Sequence, residues 1–182
     1  SFSEISGPSG TYSRLAVSNA EPNSVWLTTT NGNEFGNLYK STNSGTSFTS
    51  IHTSSVDYFE KYGWYGIDIA VSNENPNLIY TGGMELYRST DGGNNFSLYV
   101  PWIYYNAGPK YIHADIHSLE WADGTLYTGT DGGISKGQNS ETSFTDLSNG
   151  LNTRQFYLID ISETDPTKIL GGAQDNGTVS TL

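Results

Sequence analysis

The sequence predicts an all-β fold: a β-propeller built of four-stranded antiparallel blades with repeats of about 48 residues. The first observation is a series of phenylalanines, Phe2, Phe48, Phe96 and Phe144, which lie 46, 48 and 48 residues apart. The second is that each is followed by a hydroxyl residue, one further residue and an apolar or aromatic residue. The third is that short apolar segments alternate with turn residues throughout the chain, as expected for short strands.

A second recurring segment marks the first two strands in three of the four repeats. The segment from Ala16 to Asn23 matches the one from Ala70 to Asn77, and the stretch from Ile161 to Thr167 is a third copy. Each copy is a short apolar strand that ends in an Asx/Pro turn and is followed by another strand. Proline cannot extend a central ladder, and Asn or Asp tolerates turn dihedrals, so these copies mark strand ends.

The turns divide most repeats into four strands, a to d. The predicted strands are 11–19, 24–30, 37–42 and 47–51; 66–72, 77–82, 85–90 and 95–99; 114–121, 124–130, 133–136 and 143–147; and 155–162, 168–172 and 177–181.

Residues 1–182 are thus predicted to form one propeller segment of about four blades. It comprises strand d of a preceding blade (1–5), three blades (11–51, 66–99 and 114–147) and an incomplete blade (155–182). Because the segment starts on a strand d and stops after a strand c, we expect it to belong to a larger propeller, with the remaining blades of the same parent as its partners. The alternative is that residues 1–5 complete the last blade and close a four-bladed ring.

The charge balance excludes several classes of partner. Eight Lys and Arg stand against 19 Asp and Glu, a formal net charge of −11, which disfavours binding to nucleic acid or to an anionic membrane surface. No apolar run reaches the roughly 18–20 residues that a membrane-spanning helix needs, so membrane insertion is not expected. The absence of cysteine removes disulfides and thiolate sites. Abundant hydroxyl, Asn and Tyr residues with little Lys favour a secreted or cell-surface bacterial protein.

The turns between strands c and d carry a family resemblance. The segment from Ser89 to Phe96 reads Ser-x-Asp-x-Gly-x-x-aromatic, and the segment from Ser41 to Phe48 has the same form with Asn for Asp. This resembles the Asp-box, or bacterial neuraminidase repeat, of sialidases, sortilin-type receptors and xyloglucan-cleaving glycoside hydrolases. The resemblance implies that the Asp caps backbone N–H groups, the Gly takes a positive φ and the aromatic ring plugs the sheet. The implied structural residues are Ser41, Asn43, Gly45, Phe48, Ser89, Asp91, Gly93 and Phe96.

Three segments are expected at the axial face of the propeller: 111–119, 129–133 and 171–178. Their His-Ala-Asp-x-His, Asp-Gly-Gly and Gln-Asp-Asn-Gly patterns resemble those of secreted bacterial Asp-box proteins described as glycosyl-hydrolase-like. The Thr-Asp-Gly-Gly stretch at 130–133 is also similar to the segment that bears the catalytic base of xyloglucan-cleaving enzymes. That similarity implies Asp131 as a candidate base, but the sequence contains no counterpart of the catalytic acid.

Asp131, Asp175 and Asp115 are the candidate catalytic residues. Asp131 and Asp175 occupy equivalent turns of adjacent blades, and Asp115 precedes the strand between them. Such a group could perform acid/base chemistry on a glycosidic bond if burial and mutual repulsion raise one carboxyl pKa. The alternative is that Asp131 and Asp175 are ordinary turn residues whose side chains cap their own backbone.

His113, Asp115 and His117 allow a further set of interpretations. If strand alternation begins at residue 113, all three side chains share one face. They could ligate Zn²⁺ or another divalent metal, contact a substrate, or bond neighbouring turns and lock the packing of the blades. No cofactor is required by these motifs, although Ca²⁺ could be bound by Asp131, Asp175 and backbone carbonyls. The identity of any metal is left unknown.

The loops between blades are unusually aromatic. One loop, 52–65, contains two Trp or Phe and three Tyr residues, and the other, 100–111, adds one Trp and three Tyr. Exposed rings suit stacking on sugars or a protein contact, whereas rings that fold back would fill gaps between blades. The predicted ligand-binding residues are His113, His117, Trp64, Trp102, Tyr104 and Tyr105.

The sequence therefore predicts a recognition or adhesion module for a glycan or protein ligand. The alternative is a glycoside-hydrolase-like enzyme acting on polysaccharide, and the question of enzymatic activity stays open because no complete catalytic constellation is present. A sialidase is disfavoured because those enzymes clamp the substrate carboxylate with three arginines. Only three arginines occur here, and Arg88 lies in a strand before an Asp-box.

Overall fold

The computed structural model describes residues 7–103, 111–138, 143–151 and 154–181, which form fifteen strands in four antiparallel sheets. The first sheet consists of β1 (Ser13–Val17), β2 (Val25–Asn31), β3 (Glu34–Ser41) and β4 (Thr49–His52). The second consists of β5 (Asp68–Val71), β6 (Ile79–Gly82), β7 (Leu86–Ser89) and β8 (Ser97–Val100). The third consists of β9 (Ile116–Ala122), β10 (Thr125–Thr130), β11 (Gly133–Gln138) and β12 (Thr145–Asp146). The fourth consists of β13 (Phe156–Ile161), β14 (Ile169–Ala173) and β15 (Thr178–Ser180).

The predicted all-β architecture of four-stranded antiparallel units is confirmed. Each predicted strand from residue 11 onward corresponds to one observed strand, and within each sheet neighbouring strands follow one another along the chain. The predicted strand at 1–5 lies outside the described residues. Within the described ranges there is no helix that is long and apolar enough to cross a membrane.

The first three sheets pack face to face, and two apolar clusters lie between them. The cluster between the first and second sheets contains Trp26, Phe35, Leu38, Tyr58, Phe59, Ile67, Ile69, Val71, Ile79 and Tyr87. The cluster between the second and third sheets contains Ala70, Leu78, Tyr80, Leu86, Tyr99, Val100, Ile112, Ile116, Leu119, Trp121 and Leu126. Neighbouring residues of β5 therefore belong to different clusters, because alternate side chains of a strand point to opposite faces.

Equivalent turns of successive sheets are joined by hydrogen bonds. The Ser18 hydroxyl donates to the carbonyl oxygen of Ser72 at 2.6 Å, and the Asn19 N–H donates to Oδ1 of Asn73 at 3.0 Å. Asn73 in turn donates through Nδ2 to the carbonyl oxygen of Trp121 in the third sheet at 3.0 Å. The corresponding edges of the first three sheets are thus joined to one another by hydrogen bonds.

The turn between β7 and β8 has the local geometry that the sequence predicts. The Ser89 hydroxyl donates to Oδ1 of Asp91 at 2.8 Å and accepts from the Gly93 N–H at 2.9 Å, while the Asn95 N–H donates to the same Asp91 oxygen at 2.9 Å. The hydrogen bonds from Asn95 and Ser89 lower the pKa of Asp91 to about 2. Gly93 has a φ of 93°. Ser41, Asn43, Gly45 and Ser47 repeat the pattern between β3 and β4.

The aromatic residue after this turn reaches the preceding sheet. The Phe96 ring lies 5.4 Å from the ring centroids of His52 and Tyr58 and packs on the first apolar cluster. Phe144 packs likewise on the second cluster. Phe48 is only partly buried. Of the recurring phenylalanines, Phe96 and Phe144 therefore pack between adjacent sheets.

The fourth sheet is joined to the others differently. Its first strand is exposed along its whole length, with Tyr157 at 67%, Leu158 at 79% and Ile159 at 60% exposure. At the opposite end of the stack, Leu15 and Val17 of β1 are also exposed. The described residues therefore leave apolar side chains uncovered at both ends of the stack.

We predict that alanine at two equivalent turn glycines has unequal effects. Both Gly45 (φ 83°) and Gly93 (φ 93°) hold left-handed backbone, which costs an alanine about 1–2 kcal/mol. A Cβ on Gly93 would also lie 2.7 Å from Cδ2 of the buried Leu38, whereas a Cβ on Gly45 meets no atom within 4 Å. Gly93→Ala should therefore lose about 1–3 kcal/mol more than Gly45→Ala in the free energy of unfolding, measured in urea. Equal losses would contradict the contact between this turn and the first sheet.

Candidate functional site

Loops from the second, third and fourth sheets meet at one edge of the stack. Tyr65 precedes β5, Asp115 directly precedes β9 and His117 lies at its start, and Asp131 occupies the turn between β10 and β11. The turn between β14 and β15, residues 174–177, completes the group. This is the group of turns that the sequence predicts at the axial face, and the structure brings its acidic residues together.

Asp131 is bound on both carboxylate oxygens by side chains from other loops. His117 Nε2 lies 2.7 Å from Oδ1, and the Tyr65 hydroxyl donates to Oδ2 at 2.9 Å. The turn itself is capped by Thr130, whose Oγ1 accepts from the Gly132 N–H at 3.2 Å. The interpretation of Asp131 as a carboxylate that caps its own turn is therefore wrong, because its partners come from β9 and from the loop before β5.

Asp115 corrects the alternation argument made from the sequence. The strand begins at Ile116, and Asp115 has a φ of 62°, so residues 113–117 do not follow extended-strand periodicity. A left-handed residue turns the chain just before the strand. The Oδ1 atom of Asp115 is buried and has no hydrogen-bond partner. An unpaired buried acceptor is costly, so this atom is the most unusual polar group of the site.

The three acidic residues approach one another closely. One carboxylate oxygen of each of Asp115, Asp131 and Asp175 lies within 4.8 Å of the others. Burial raises the pKa of Asp115 above its ordinary value, and the negative charges of Asp131 and Asp175 raise it further, although His113 and His117 act in the opposite direction. The sequence-based expectation that burial and mutual repulsion raise one carboxyl pKa in this group agrees with this geometry.

His113 links the third sheet to the turn of the fourth. Its Nε2 lies 3.0 Å from the carbonyl oxygen of Asp175, and its Nδ1 lies 3.0 Å from that of Ala114. A Cβ on Gly132 would overlap the His113 ring, so glycine is needed there for the ring to approach. Both ring nitrogens face carbonyl oxygens, which supports the locking interpretation of His113 over metal ligation. Asp175 itself has a φ of 50°.

Tyr65, Gln174 and Asn176 belong to the site but were not among the predicted site residues. Gln174 Nε2 donates to the Tyr65 hydroxyl at 2.9 Å, and Asn176 Nδ2 donates to the backbone carbonyl oxygen of Asp131 at 2.9 Å. The Gln-Asp-Asn-Gly pattern contained a signal for the two amides. Tyr65 carried none, because the same loop contains several other aromatic residues. Burial, and then its hydrogen bond to Asp131, raise the pKa of the Tyr65 hydroxyl.

Two cavities meet at the three carboxylates. The aromatic cavity, of about 760 Å³, is lined by Tyr62, Trp102, Ile103, Tyr111, Asp115 and Asp175, among others. The polar cavity, of about 590 Å³, is lined by Thr130, Asp131, Arg154, Gln155, Gln174 and Asn176, among others. Since Asp115 and Asp175 line one cavity and Asp131 lines the other, the carboxylates stand at the boundary between them.

Some rings of the aromatic loops are buried between the sheets, and others are exposed to solvent. Tyr58 and Phe59 are buried in the first apolar cluster. Trp64 and Trp102 are exposed at 57% and 47%, and the Trp64 ring lies 5.4 Å from the Tyr65 ring. Trp102 lines the aromatic cavity. The predicted ligand-binding residues Tyr104 and Tyr105 lie outside the described residues.

The predicted roles in ligand binding, catalysis and Ca²⁺ binding remain predictions. The three carboxylates supply oxygen ligands of the kind that Ca²⁺ prefers.

His117 is held between the Tyr65 ring, 4.9 Å away, and Asp131. Its Nε2 is therefore occupied in this geometry, which does not favour a His113–Asp115–His117 metal centre.

Comparison with known proteins identifies the fold as that of β-propellers. No protein-family model and no curated protein matches the chain. Among solved structures, a GH74 enzyme of Niastella koreensis superposes with a TM-score of 0.52 at 21% identity, covering 90% of this chain and 26% of that one. An ancestral GH74 enzyme gives 0.54 at 14% identity, covering 92% and 25%. The computationally designed Ika4 protein gives 0.50 at 12% identity, covering 97% and 94%.

These similarities show the fold and nothing finer. The chain spans about a quarter of the length of the two GH74 enzymes, and each identity is low. The sheet architecture, with the first three antiparallel sheets packed face to face, agrees with the propeller class.

We predict that Asp115→Asn makes stability less dependent on pH. Folding raises the pKa of Asp115. At pH values between the ordinary and the raised pKa, the Asp115 carboxyl is therefore more protonated in the folded protein than in the unfolded chain. The stability that Asp115 contributes therefore falls as pH rises through that window. The variant should be more stable than the wild type above the window, and the difference should shrink as pH falls below it.

Urea unfolding measured from acidic to neutral pH checks this prediction. Asp123→Asn is the matched control, because Asp123 is an exposed turn residue that also has a positive φ, 48°. Asparagine tolerates this backbone conformation in both variants. If the difference in free energy of unfolding between the wild type and Asp115→Asn did not change with pH, the raised pKa of Asp115 would be contradicted.

Proposed function

We propose that this chain is a glycan-recognition module of a secreted or cell-surface protein, and that the ligand lies across the two cavities. The observation that carries the proposal is the junction of an aromatic cavity with a polar one at a group of carboxylates. Sugars present apolar faces for stacking and a rim of hydroxyl groups, and a groove with both kinds of lining complements them.

The aromatic cavity supplies the stacking surfaces. Tyr62 and Trp102 line it and keep 38% and 47% of their surface exposed. Exposed rings of this kind present an apolar face to a ligand while their polar tips remain hydrated. Trp64 lies beside Tyr65, which contacts Asp131, so it extends the same surface.

The polar cavity supplies hydrogen-bonding groups in fixed positions. Asn176 is held by the carbonyl oxygens of Asp131 and Gln174, and Gln174 by the Tyr65 hydroxyl. Arg154 donates through Nη1 to the carbonyl oxygen of Asn176 at 3.0 Å, which ties the loop before β13 to the same turn. Polar groups ordered before binding lose little conformational entropy when hydroxyl groups replace water.

A retaining glycosidase is the second candidate function. Inverting glycosidases hold their two carboxyl groups about 6.5–9.5 Å apart to admit water, and retaining enzymes about 5–5.5 Å apart. Carboxylate oxygens within 4.8 Å of one another approach the second spacing more closely. Asp115, with its raised pKa, has the property of an acid, and Asp131 is a neighbouring carboxylate. Binding is preferred because both oxygens of Asp131 are already occupied.

We predict that Trp102→Ala weakens the affinity for a bound oligosaccharide by about tenfold, through loss of one stacking ring. A panel of soluble polysaccharides is screened by affinity electrophoresis, and the best ligand is titrated calorimetrically. Tyr12→Ala is the control, because Tyr12 is 42% exposed and lines neither cavity. Undiminished binding by Trp102→Ala, or binding only to proteins, would contradict the proposed site.

The same panel separates binding from cleavage. We expect the wild-type protein to release no reducing ends from the polysaccharide that it binds. If it does release them, and Asp131→Asn abolishes the release without changing the melting temperature, the glycosidase function is correct. A large loss of stability in Asp131→Asn would instead reflect the contacts of Asp131 with His117 and Tyr65.

A further inference from the structure

We propose that Glu60 and Glu85 hold one proton between them across the Tyr87 hydroxyl, and that loss of this proton loosens the adjoining wall of the aromatic cavity. Glu60 lies in the loop before β5, and Glu85 lies in the turn between β6 and β7. This carboxyl pair is separate from the acidic residues of the candidate site, and it would respond to pH whether or not a glycan is bound.

One hydroxyl group lies between two carboxyl groups. The Tyr87 hydroxyl oxygen is 3.0 Å from Oε1 of Glu60 and 3.1 Å from Oε2 of Glu85. Burial, and then the hydrogen bond to Glu60, raise the pKa of Tyr87, so the phenol keeps its hydrogen. A hydroxyl has only one hydrogen and can donate it to one carboxylate. The second contact becomes a hydrogen bond when the other carboxyl carries a proton and donates it to the phenol oxygen.

The surroundings of Glu60 favour the protonated form. The groups that face it are Tyr87 from β7, Glu85 from the turn before β7, and Asp57 from its own loop. Burial raises the pKa of Glu60, the hydrogen bond from Tyr87 acts in the opposite direction, and the charges of Glu85 and Asp57 raise it further. The ion pairs found among the described residues include neither Glu60 nor Glu85.

The backbone at Glu60 is strained. Glu60 has a φ of 53° and Lys61 a φ of 65°, a conformation that residues other than glycine rarely adopt. Asp57 holds the segment by accepting from the Lys61 N–H at 2.7 Å, and the Gly63 N–H donates to the Asn33 carbonyl oxygen at 2.9 Å. Strained backbone persists only where its surroundings hold it. Between these two anchors, the side chain of Glu60 holds the strained segment against β7.

Both members of the carboxyl pair adjoin the wall of the aromatic cavity. Tyr62, two residues after Glu60, lines that cavity, and so does Met84, which directly precedes Glu85. When the proton is lost, a partly buried carboxylate faces a second carboxylate, and Tyr87 can donate to only one of them. We therefore expect the loop to separate from the turn, and Tyr62 to move with it.

Rising pH weakens the closed loop. In an opened loop the pKa of Glu60 returns to its ordinary value, whereas in the closed loop it is raised. The closed loop therefore binds the proton more tightly, and its stability falls as pH rises through the interval between the two pKa values.

Nuclear magnetic resonance of the whole chain tests the proposal. The carboxyl carbon resonances of Glu60 and Glu85 show where each group titrates. The hydrogen-bonded amides of Lys61, Tyr62 and Gly63 report opening of the loop through their protection factors, which are corrected for the intrinsic pH dependence of exchange. We expect Glu60 to titrate above the ordinary range of a glutamate, and the protection factors to fall about tenfold across the same interval.

Glutamine variants locate the effect. Glu60→Gln mimics the protonated form, because its amide can accept from Tyr87 and donate to Glu85, so protection should stay high at every pH. Glu85→Gln removes the repulsion and should move the fall in protection to lower pH. Glu34→Gln is the matched control, since Glu34 is exposed and pairs with Lys61 of the same loop at 3.8 Å; this variant should keep the full fall.

The opposite results would overturn the proposal. These are titration of Glu60 in the ordinary range of a glutamate, or an equal fall in protection in Glu60→Gln and the wild type. A fall that is lost only in Glu34→Gln would assign the pH response to the ion pair with Lys61 instead.

The same variants separate the carboxyl pair from the proposed glycan binding. The affinity for a bound oligosaccharide should fall across the interval in the wild type and stay constant in Glu60→Gln. A chain that shows the fall in protection but binds no polysaccharide would refute the proposed function and leave the carboxyl pair intact. Glycan binding by a chain whose loop protection does not change with pH would refute the carboxyl pair alone.

Discussion

Face-to-face burial between successive sheets is the constraint on which the rest of the structure depends. A single four-stranded sheet with apolar residues on both faces cannot bury them by itself. In the second sheet, Ile79 packs toward the first sheet and Tyr80 toward the third, where its ring stacks on that of Trp121 at 5.8 Å. Burial of this kind raises the pKa of Tyr80 to about 12. Because both faces of the second sheet are fixed, the loops at its edge are fixed relative to those of its neighbours.

The candidate site depends on this fixed arrangement of the loops. Asp131 receives hydrogen bonds from the loop before the second sheet and from the first strand of the third, and its carbonyl oxygen receives one from the fourth. It therefore connects three sheets through one residue. The fourth sheet has little apolar cover, and the hydrogen bonds of Asn176, Gln174 and His113 tie its turn to the others. Polar contacts hold the fourth sheet in position, whereas apolar packing holds the first three sheets.

The fold was predictable because its signals are local and repeated. The Asx/Pro turns and the Ser-x-Asp-x-Gly turns are short local motifs, the phenylalanine period shows that they recur, and the structure confirms the strands that they predict. The site was predictable only in part. Its acidic residues were recognisable from their equivalent turns, whereas Tyr65 gave no signal because its role depends on Asp131, 66 residues away. The alternation argument failed at Asp115, since a positive φ there cannot be deduced from strand propensity.

Several features of Asp115 are unfavourable for stability. A non-glycine residue with a positive φ, a buried oxygen without a donor and two neighbouring carboxylates each cost free energy. Strain of this kind persists only where the surrounding structure holds the residue in place, and here the strand that starts at Ile116 and the ring of His113 do so. Asp115 therefore stays beside the carboxylates of Asp131 and Asp175 because neighbouring elements hold it there, and not because its own conformation is favourable.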